Sequence, residues 1–477
     1  MNASHGVRFV GLLCTATWLA VTASRATIIA GGNVINQTWN PAGNPYIVQG
    51  DVTVPAGAFL NINAGTTVQF ASTDGQAAGA DTSRVELIVK GTLTVAGTTV
   101  SPVTFQAQTG TGTAIWYGIE PSSTATSVSI DHALIRNASY GIRSSVLGST
   151  LSVTNTTIDT CTYGVLSVTG NPVFDGVRVL NGTYGFYLAG EGTVTIRNSI
   201  SQGGAYGVFV FAQSGAPLNL SIVNSTINGA ASGYGIYAGT IDTFSQTTVT
   251  ALNLIVTNNG TGIYREVGGG PVGVTVTYSD VWNNGTNFFG VMPGAGAISA
   301  NPAFVGANNF HLLAGSPAID AGSSGAGVPT HDFDGNARPL DGDGVGGAAY
   351  DMGAYEFVPP VLGSVPEVDG GTQPVLSIST SDHISLNLQW GAACGGAATD
   401  YAIYEGTVGS WYSHVPGLCT TSGNLTAVYS PAPGNRYYLV VPLNASAEGT
   451  YGHATGGSPI PVSGSACRAV QDTAECP

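Results

Sequence analysis

Charged residues are scarce in this sequence, and one of the two strongly basic types is almost missing. Asp, Glu, Lys and Arg make up 8 % of the 477 residues, and Lys90 is the only lysine. Because long surface helices depend on Glu, Lys and Arg, this scarcity, together with 69 glycines, argues against a helical protein. The formal net charge of −15 would repel nucleic acid and anionic lipid, which disfavours nucleic-acid binding.

Long hydrophobic runs are also absent after the N-terminus. No later stretch approaches the roughly 20 apolar residues that span a bilayer, so the mature chain is predicted to have no membrane span. Residues 1–26 contain Arg8, an apolar run to Val21 and small residues ending at Ala23 or Ala26. This pattern is typical of a secretory signal peptide, which predicts a secreted protein, either extracellular or on the cell surface.

Cysteine is rare, and four of the six cysteines lie near the C-terminus. In an exported protein, Cys394, Cys419, Cys467 and Cys476 predict two disulfides. Proximity in the sequence favours Cys394–Cys419 and Cys467–Cys476, although four cysteines allow three pairings. Cys161 has no neighbour and is predicted to be a small buried apolar residue rather than a nucleophile.

One short pattern, Tyr-Gly-aliphatic, recurs through the middle of the chain. Its glycines lie at intervals of 21 to 28 residues, at positions 118, 141, 164, 185, 207, 235 and 262. An aligned aliphatic position recurs in step, at 135, 158, 179, 200, 227 and 255. Self-similarity at such a period predicts a solenoid.

Each repeat contains short alternating segments and no apolar spacing typical of a helix. About 22 residues suit three short strands and three turns, which is one coil of a parallel β-helix, and the length predicts roughly 10–12 coils. Equivalent residues of successive coils are then about 4.8 Å apart. Asn155, Asn198 and Asn224 each end a similar strand, where their amides can form hydrogen-bonded ladders.

Residues 30–357 resemble the right-handed parallel β-helix proteins, whose fold is shared with pectate lyases. The stretch beginning NPAFVGANNFHLLAGSPAIDAG and ending in GAYEF (301–357) is similar to a closing segment of exported bacterial β-helices, described as part of a choice-of-anchor region. This resemblance implies the fold but not an activity, because members with this ending have varied or unknown roles.

The composition changes after Pro359-Pro360. The segments ISLNLQW (384–390), TDYAIYEG (399–406) and NRYYLVVPL (435–443) resemble the strands of a fibronectin-III-like sandwich, with Trp390 on an early strand. The prediction is an all-β protein, a right-handed parallel β-helix followed by a small β-sandwich. Its segments are a signal peptide (1–26), a β-helix (27–300), a closing segment (301–358), a linker (359–371) and the sandwich (372–477).

Charged residues in the repeats align between neighbouring coils. The aligned pairs are Glu120 with Arg143, Arg136 with Asp159, and Asp175 with Arg197. Opposite charges at equivalent positions predict stacked surface pairs of about 0–1 kcal/mol each.

The pectate-lyase resemblance implies carboxylates with a basic residue, or clustered Asp ligands for calcium, if the protein is a polysaccharide lyase or a glycoside hydrolase. No complete set of such residues occurs in the repeats. The low-ranking catalytic candidates are Asp131, His132, Asp175 and Arg178.

The densest acidic group lies in the closing segment. Asp332, Asp334, Asp341 and Asp343 are closely spaced in the glycine-containing stretches DFDGN and DGDGV, a pattern that lets several carboxylates reach one Ca²⁺ ion. The alternative is a polar cap of Asx turns that closes the last coil.

Alternation about the motif glycine predicts which side chains face outward. The aliphatic residue after each glycine is predicted to point inward, and parity places the preceding tyrosine on that same inner side. The next residue points outward, which predicts an aromatic stripe of Tyr187, Phe209, Tyr237 and Tyr264. The stripe favours a shallow groove for an extended glycan or partner chain, although inserted loops could instead cover it. The favoured function is a non-catalytic binding or structural protein whose partner is a polysaccharide or another cell-surface component.

Overall fold

The computed structural model describes residues 26–145, 150–213, 215–343, 345–366, 375–382, 384–445, 447–454 and 458–472. The predicted signal peptide lies outside this part of the chain except for Ala26. Two compact units are present, one ending at Phe357 and one beginning at Val358. Regular structure in the described residues is β-strand apart from the 3-10 turn Pro41–Gly43, and no described helix is long and apolar enough to cross a membrane. The all-β prediction is confirmed.

Three long parallel sheets form the β-helix of the first unit, and each coil except the last gives one strand to each sheet. Sheet A contains Thr27–Ile29, Tyr46–Val48, Thr67–Phe70, Val103–Ala107, Ala133–Arg136, Thr157–Asp159, Arg178–Leu180, Ile200–Gln202, Thr226–Asn228, Ile255–Thr257 and Asp280–Trp282. Sheet B contains Gly32–Asn33, Val52–Val54, Glu86–Val89, Trp116–Pro121, Ala138–Ser144, Tyr163–Ser167, Tyr184–Gly190, Tyr206–Ala212, Tyr234–Thr240, Thr261–Arg265 and Thr286–Phe289. Sheet C contains Gln37–Trp39, Phe59–Asn63, Thr92–Ala96, Ser127–Asp131, Thr150–Thr154, Val173–Asp175, Gly192–Arg197, Pro217–Val223, Gln246–Leu252 and Val272–Thr277. The described strands make 11-stranded sheets A and B and a 10-stranded sheet C, which confirms a parallel β-helix of the predicted length.

Stacked aliphatic side chains fill the interior of the coils. Ile158 of sheet A lies opposite Val179 of the next coil, and Val179 lies opposite Ser201. Each buried Val or Ile contributes about 1.5–3 kcal/mol relative to an exposed one. In its coil, Ser201 rather than Ile200 points into the interior. Ile200 therefore faces outward, although in the sequence it aligns with aliphatic residues that point inward in other coils.

Asparagines in the left-handed region form the turns between sheets C and A. Asn155, Asn198, Asn224 and Asn253 have φ values between 44° and 56°, a region that asparagine tolerates better than most residues. The predicted amide ladder is present at Asn253, whose Nδ2 donates to Asn224 Oδ1 at 3.2 Å. Asn155 and Asn198 donate instead to neighbouring aspartates.

The closing segment runs back along the outer face of sheet A. Asn198 donates to the carbonyl of His331, and Asn224 donates to that of Asp351. Ile200 packs with Phe310 in the same buried cluster. The segment therefore covers the outward side chains of several coils, and its predicted role as a cap on the last coil stays a prediction.

The second unit contains two small sheets. One sheet has Ser377–Ser379, Leu386–Gln389 and Thr426–Tyr429; the other, in spatial order, has Ser410–Leu418, Asp400–Thr407, Arg436–Leu443, Ala447–Glu448 and Val470–Gln471. Trp390 is buried beside Tyr401, and Val365, from the predicted linker, belongs to the same core. The fibronectin-III-like assignment of this unit stays a prediction.

The disulfide pairing favoured by sequence proximity is wrong. Cys419 bonds to Cys467, with Cα atoms 5.4 Å apart, so Cys419 does not pair with Cys394. Cys394 is also disulfide-bonded, and Cys476 lies outside the described residues. Folding brings the end of Ser410–Leu418 next to residue 467, which no spacing in the sequence indicates. Cys161 is a buried free thiol, as predicted.

Candidate functional site

The Tyr-Gly-aliphatic motif interrupts the alternation of each sheet B strand. A Cβ atom on Gly164 would overlap Val179 Cγ1, and one on Gly185 would overlap Ser201 Oγ, so the glycine position points inward. The aliphatic residue after each glycine is buried as well. Two successive inward positions leave the preceding tyrosine on the outer surface. The prediction of inward tyrosines is wrong, because parity does not hold across this irregularity.

The tyrosines of the motif form one stacked row on the outside of sheet B. The ring centroids of Tyr163 and Tyr184 are 4.7 Å apart with planes 3° from parallel. Tyr206 continues the stack at 5.0 Å from Tyr184, and Tyr234 follows at 5.3 Å from Tyr206. These ring distances are close to the spacing of about 4.8 Å between neighbouring strands, as expected for equivalent residues of in-register coils.

A second row lies beside the first and contains the predicted aromatic stripe. Centroid distances are 4.6 Å from Tyr187 to Phe209, 5.1 Å from Phe209 to Tyr237 and 4.9 Å from Tyr237 to Tyr264. Phe289 extends this row at 4.8 Å from Tyr264 and is 44 % exposed. Sequence analysis missed Phe289 because its coil lacks the Tyr-Gly motif.

The two rows pack edge to face and form one continuous surface. Tyr184 meets Tyr187 at 5.1 Å with planes 86° apart, and Tyr234 meets Tyr237 at 5.4 Å and 88°. This surface, called the aromatic face below, consists of Tyr140, Tyr163, Tyr184, Tyr206 and Tyr234 in the first row and Tyr187, Phe209, Tyr237, Tyr264 and Phe289 in the second.

The inserted loops leave the aromatic face accessible. All four rings of the predicted stripe are partly exposed, and none is buried. Phe244, in the loop after Tyr234–Thr240, is itself 83 % exposed. The interpretation that loops cover the stripe is therefore wrong.

Three phenol groups of the aromatic face are held in their neutral form. Burial raises the pKa of Tyr187 and Tyr206, and burial together with Glu266 raises the pKa of Tyr237 to about 12. These three phenol groups therefore stay protonated and serve as hydrogen-bond donors. Arg143, near the first coils of the face, is neutralised by its ion pair with Glu120.

The catalytic candidates lie on a different surface, where sheets C and A meet the closing segment. His132 and Asp175 line a groove of about 450 Å³ together with His331 and Asp334. Asp131 lies behind His132, at 3.0 Å from its Nδ1 atom. Arg178 does not line the groove and donates to the carbonyl of Asn308. The structure thus brings two of the four candidates into one groove and adds residues from the closing segment.

Both candidate catalytic aspartates near this groove accept several hydrogen bonds. Asp175 accepts from Arg197 Nε at 2.8 Å and from Asn198. Asp131 accepts from Thr154 at 2.6 Å, and although burial raises its pKa, hydrogen bonds from Thr154 and neighbouring groups hold that pKa below its usual value. A carboxylate held ionised in this way is poorly suited to act as a general acid.

The stacked charge pairs are present in two of the three predicted cases. Glu120 pairs with Arg143, and Asp175 pairs with Arg197. Arg136 and Asp159 lie opposite each other in register, but no ion pair joins these two described side chains. Asp159 accepts instead from Thr160 and Asn181.

The four aspartates predicted to bind calcium divide into separate places. Asp341 and Asp343 group with Asp320, with one carboxylate oxygen of each within 4.8 Å of the others. Asp332 closes its own turn by accepting from the backbone N–H groups of Asp334 and Asn336. Asp334 contacts His311 Nε2 at 2.6 Å. The Asx-turn alternative therefore describes Asp332, and Asp320 was missed because it lies far upstream of the Asp-Gly pattern.

A stack of parallel coils with inward aliphatic rows defines a parallel β-helix protein. The family model for a right-handed β-helix region matches residues 81–249 and 148–305. The solved structure of full-length tailspike protein 2 from Escherichia coli O157:H7 bacteriophage CAB120 is similar at 12 % identity, with 88 % of this chain covered and a TM-score of 0.24. The match covers 61 % of that tailspike chain. No curated protein matches the chain.

Proposed function

We propose that this protein is an exported, non-catalytic binding protein whose aromatic face holds an extended, neutral polysaccharide. The observation that carries the proposal is the aromatic face itself, with two outward rows of rings that each extend over five successive coils and lie side by side in three of them. Contiguous, partly exposed apolar surface of this kind marks interaction sites in soluble proteins.

The chemistry of the face favours a glycan over a charged ligand. Tyrosine rings offer an apolar body and a phenol donor, which match the C–H faces and the hydroxyl groups of sugars. The rings repeat once per coil, a length close to that of one sugar unit in an extended glycan chain. A polyanionic chain is disfavoured here, because Arg143 is paired with Glu120 and the whole chain is acidic.

Export is supported by the predicted signal peptide and by the bond between Cys419 and Cys467, since disulfides persist in oxidising compartments. Mass spectrometry of protein recovered from the native host tests this part of the proposal. We expect a mature N-terminus just after residue 23 or residue 26. Recovery of the full-length chain from the cytoplasm would contradict export.

Affinity electrophoresis through gels containing neutral glucans, mannans, xylans or uronate polymers tests the binding. We expect at least one neutral polymer to retard the protein, and the double variant Tyr237→Ala/Tyr264→Ala to bind about tenfold or more weakly. The matched control is Phe244→Ala, which removes an exposed ring outside the face. Equal retardation of the double variant and the wild type would contradict the proposal.

A further inference from the structure

Trp411, in the second unit, is the most exposed tryptophan in the described part of the chain. It is 64 % exposed, whereas Trp39, Trp116 and Trp390 are buried and Trp282 is half-buried. An exposed indole lacks the hydrophobic stabilisation that a buried indole provides, and tryptophan is enriched at binding hot spots. An exposed tryptophan of this kind therefore indicates a binding site.

Trp411 lies on an edge strand, next to a rigidly held tyrosine. Ser410–Leu418 is the first strand in the spatial order of the five-stranded sheet, and Trp411 is 5.5 Å from Tyr437 with the ring planes 43° apart. A Cβ atom on Gly406 would overlap the Tyr437 ring, so only glycine lets that ring lie flat on the neighbouring strand.

A buried histidine fixes the Tyr437 hydroxyl group. His414 Nε2 is 3.0 Å from the carbonyl oxygen of Pro461, which only accepts, so Nε2 carries the proton. Burial lowers the pKa of His414 and keeps its ring neutral, so Nδ1 accepts a hydrogen bond from the Tyr437 hydroxyl at 3.2 Å. The Tyr437 ring is therefore preorganised.

A cavity of about 570 Å³ opens beside these two rings. Trp411, Tyr412, Tyr437, Tyr438 and Leu439 provide most of its wall, and His453, Ala454 and Ile460 complete the lining that the described residues form, which contains no Asp, Glu, Lys or Arg. This volume is within the range of roughly 300–1,000 Å³ that is usual for small-ligand sites. A charged ligand would lose hydration in this cavity without gaining a counter-charge, so the lining favours a neutral ligand.

We propose that this cavity is a second, independent glycan site, which takes one or a few neutral pyranose rings against Trp411 and Tyr437. The tilted aromatic walls present apolar faces to the C–H side of a sugar, and the open mouth leaves its hydroxyl groups in water. This site shares no residue with the aromatic face, so either site can be removed separately.

Trp411 itself reports on binding in the full-length protein. The probes are soluble β-1,4-glucan, α-1,4-glucan and β-1,4-mannan oligosaccharides, added while tryptophan emission is recorded. We expect a saturable blue shift with at least one of them, because the sugar removes water from the exposed indole. Trp411→Phe should abolish the shift, which assigns the signal to this residue.

Tyr437 variants test the site while the reporter stays in place. We expect Tyr437→Ala to raise the apparent Kd by about tenfold. Tyr437→Phe, which keeps the ring, should retain most of the affinity. Phe244→Ala is the control outside the site. Tyr237→Ala/Tyr264→Ala should leave the shift intact, which separates this site from the aromatic face.

Three results would overturn this second site. They are no shift with any neutral oligosaccharide, a shift that survives in Trp411→Phe, and unchanged affinity in a folded Tyr437→Ala variant. A shift caused by extended peptides but by none of the sugars would assign the edge strand to a protein partner instead.

Discussion

The rings of Tyr237 and Tyr264 stack with their centroids 4.9 Å apart and their planes 15° from parallel, although the residues belong to different coils. Tyr237 also stacks on Phe209 and meets Tyr234 edge to face. Each such pair contributes about 0.5–1.5 kcal/mol beyond burial. The same contacts therefore stabilise neighbouring coils and build the aromatic face.

Replacing Tyr237 with alanine should destabilise the first unit moderately. We expect Tyr237→Ala to lower the stability of the first unit by about 2 kcal/mol, because several partly exposed ring contacts are lost. Thermal unfolding followed by circular dichroism measures this, with Phe244→Ala as the control that touches no row. Complete loss of structure would show that the face is indispensable to the fold, and binding would then need milder variants such as Tyr237→Leu.

Two buried carboxyl groups near the start of the β-helix predict a pH-dependent stability. Burial raises the pKa of Asp51 to about 6 and that of Glu86 to about 7, above their ordinary values of 3.8 and 4.5. The folded protein therefore holds more protons than the unfolded chain between about pH 4 and pH 7. The stabilisation is fully present below about pH 4 and is lost as the pH rises through 6 and 7.

Asp51→Asn tests this dependence directly. Asp51 Oδ1 accepts from the Glu86 N–H at 2.8 Å, whereas its buried Oδ2 atom has no hydrogen-bond partner. We expect the variant to have a higher melting temperature than the wild type at pH 8. Its melting temperature should also decrease less than that of the wild type between pH 5 and pH 8. Asp242→Asn is the control, since backbone hydrogen bonds from Ser245 and Phe244 lower the pKa of Asp242 instead of raising it. An unchanged pH profile in Asp51→Asn would contradict the assignment.

Calcium binding in the closing segment stays a prediction, now centred on Asp320, Asp341 and Asp343. If they bind the ion, millimolar calcium should raise the melting temperature and a chelator should reverse the rise, because the ion binds the native state. Asp343→Asn should remove the effect. Asp334→Asn should keep it, since Asp334 contacts His311 instead. No shift in the wild type would leave only turn-forming roles for these residues.

The bond between Cys419 and Cys467 should stabilise only the second unit. The two cysteines are 48 residues apart, and for a loop of that size the expected loss on removal is about 2–5 kcal/mol. Urea unfolding of Cys419→Ser/Cys467→Ser should show this loss in the second unit alone. The first unit should be indifferent to reductant, because its Cys161 is a free thiol. A shift in both units would contradict this.

The groove beside His132 should not cleave polysaccharide. Asp175 is paired with Arg197, and Asp131 is held ionised, so neither provides the proton that hydrolysis needs. We expect the wild type to release no new reducing ends and no unsaturated products from neutral or uronate polymers. Activity that disappears in Asp175→Asn or His132→Ala would instead support the lyase or hydrolase alternative.

The repetitive part of this architecture was predictable, because a period near 22 residues repeats the same inward and outward positions. Parity placed Tyr187 and Tyr237 outward correctly. Parity wrongly placed Tyr184 inward. Gly185 itself points inward, where a Cβ atom would overlap Ser201 of another sheet, and this contact has no signal in the sequence.

Contacts without a period could not be predicted from the sequence. Asn198 and His331 are 133 residues apart, and nothing in their spacing indicates that the closing segment runs back along sheet A. The pairing of Cys419 with Cys467 and the grouping of Asp320 with Asp341 likewise depend on how nonrepetitive segments fold.

Affinity as a function of glycan length tests the central claim most directly. Because the rings repeat once per coil over about five coils, Kd for a neutral oligosaccharide series should fall with each added sugar until the aromatic face is covered, and then level off. Isothermal titration of the wild type should show this dependence, and Tyr237→Ala/Tyr264→Ala, which interrupts the row, should lose it. No binding by any neutral series, or a length dependence that the double variant retains, would contradict the account.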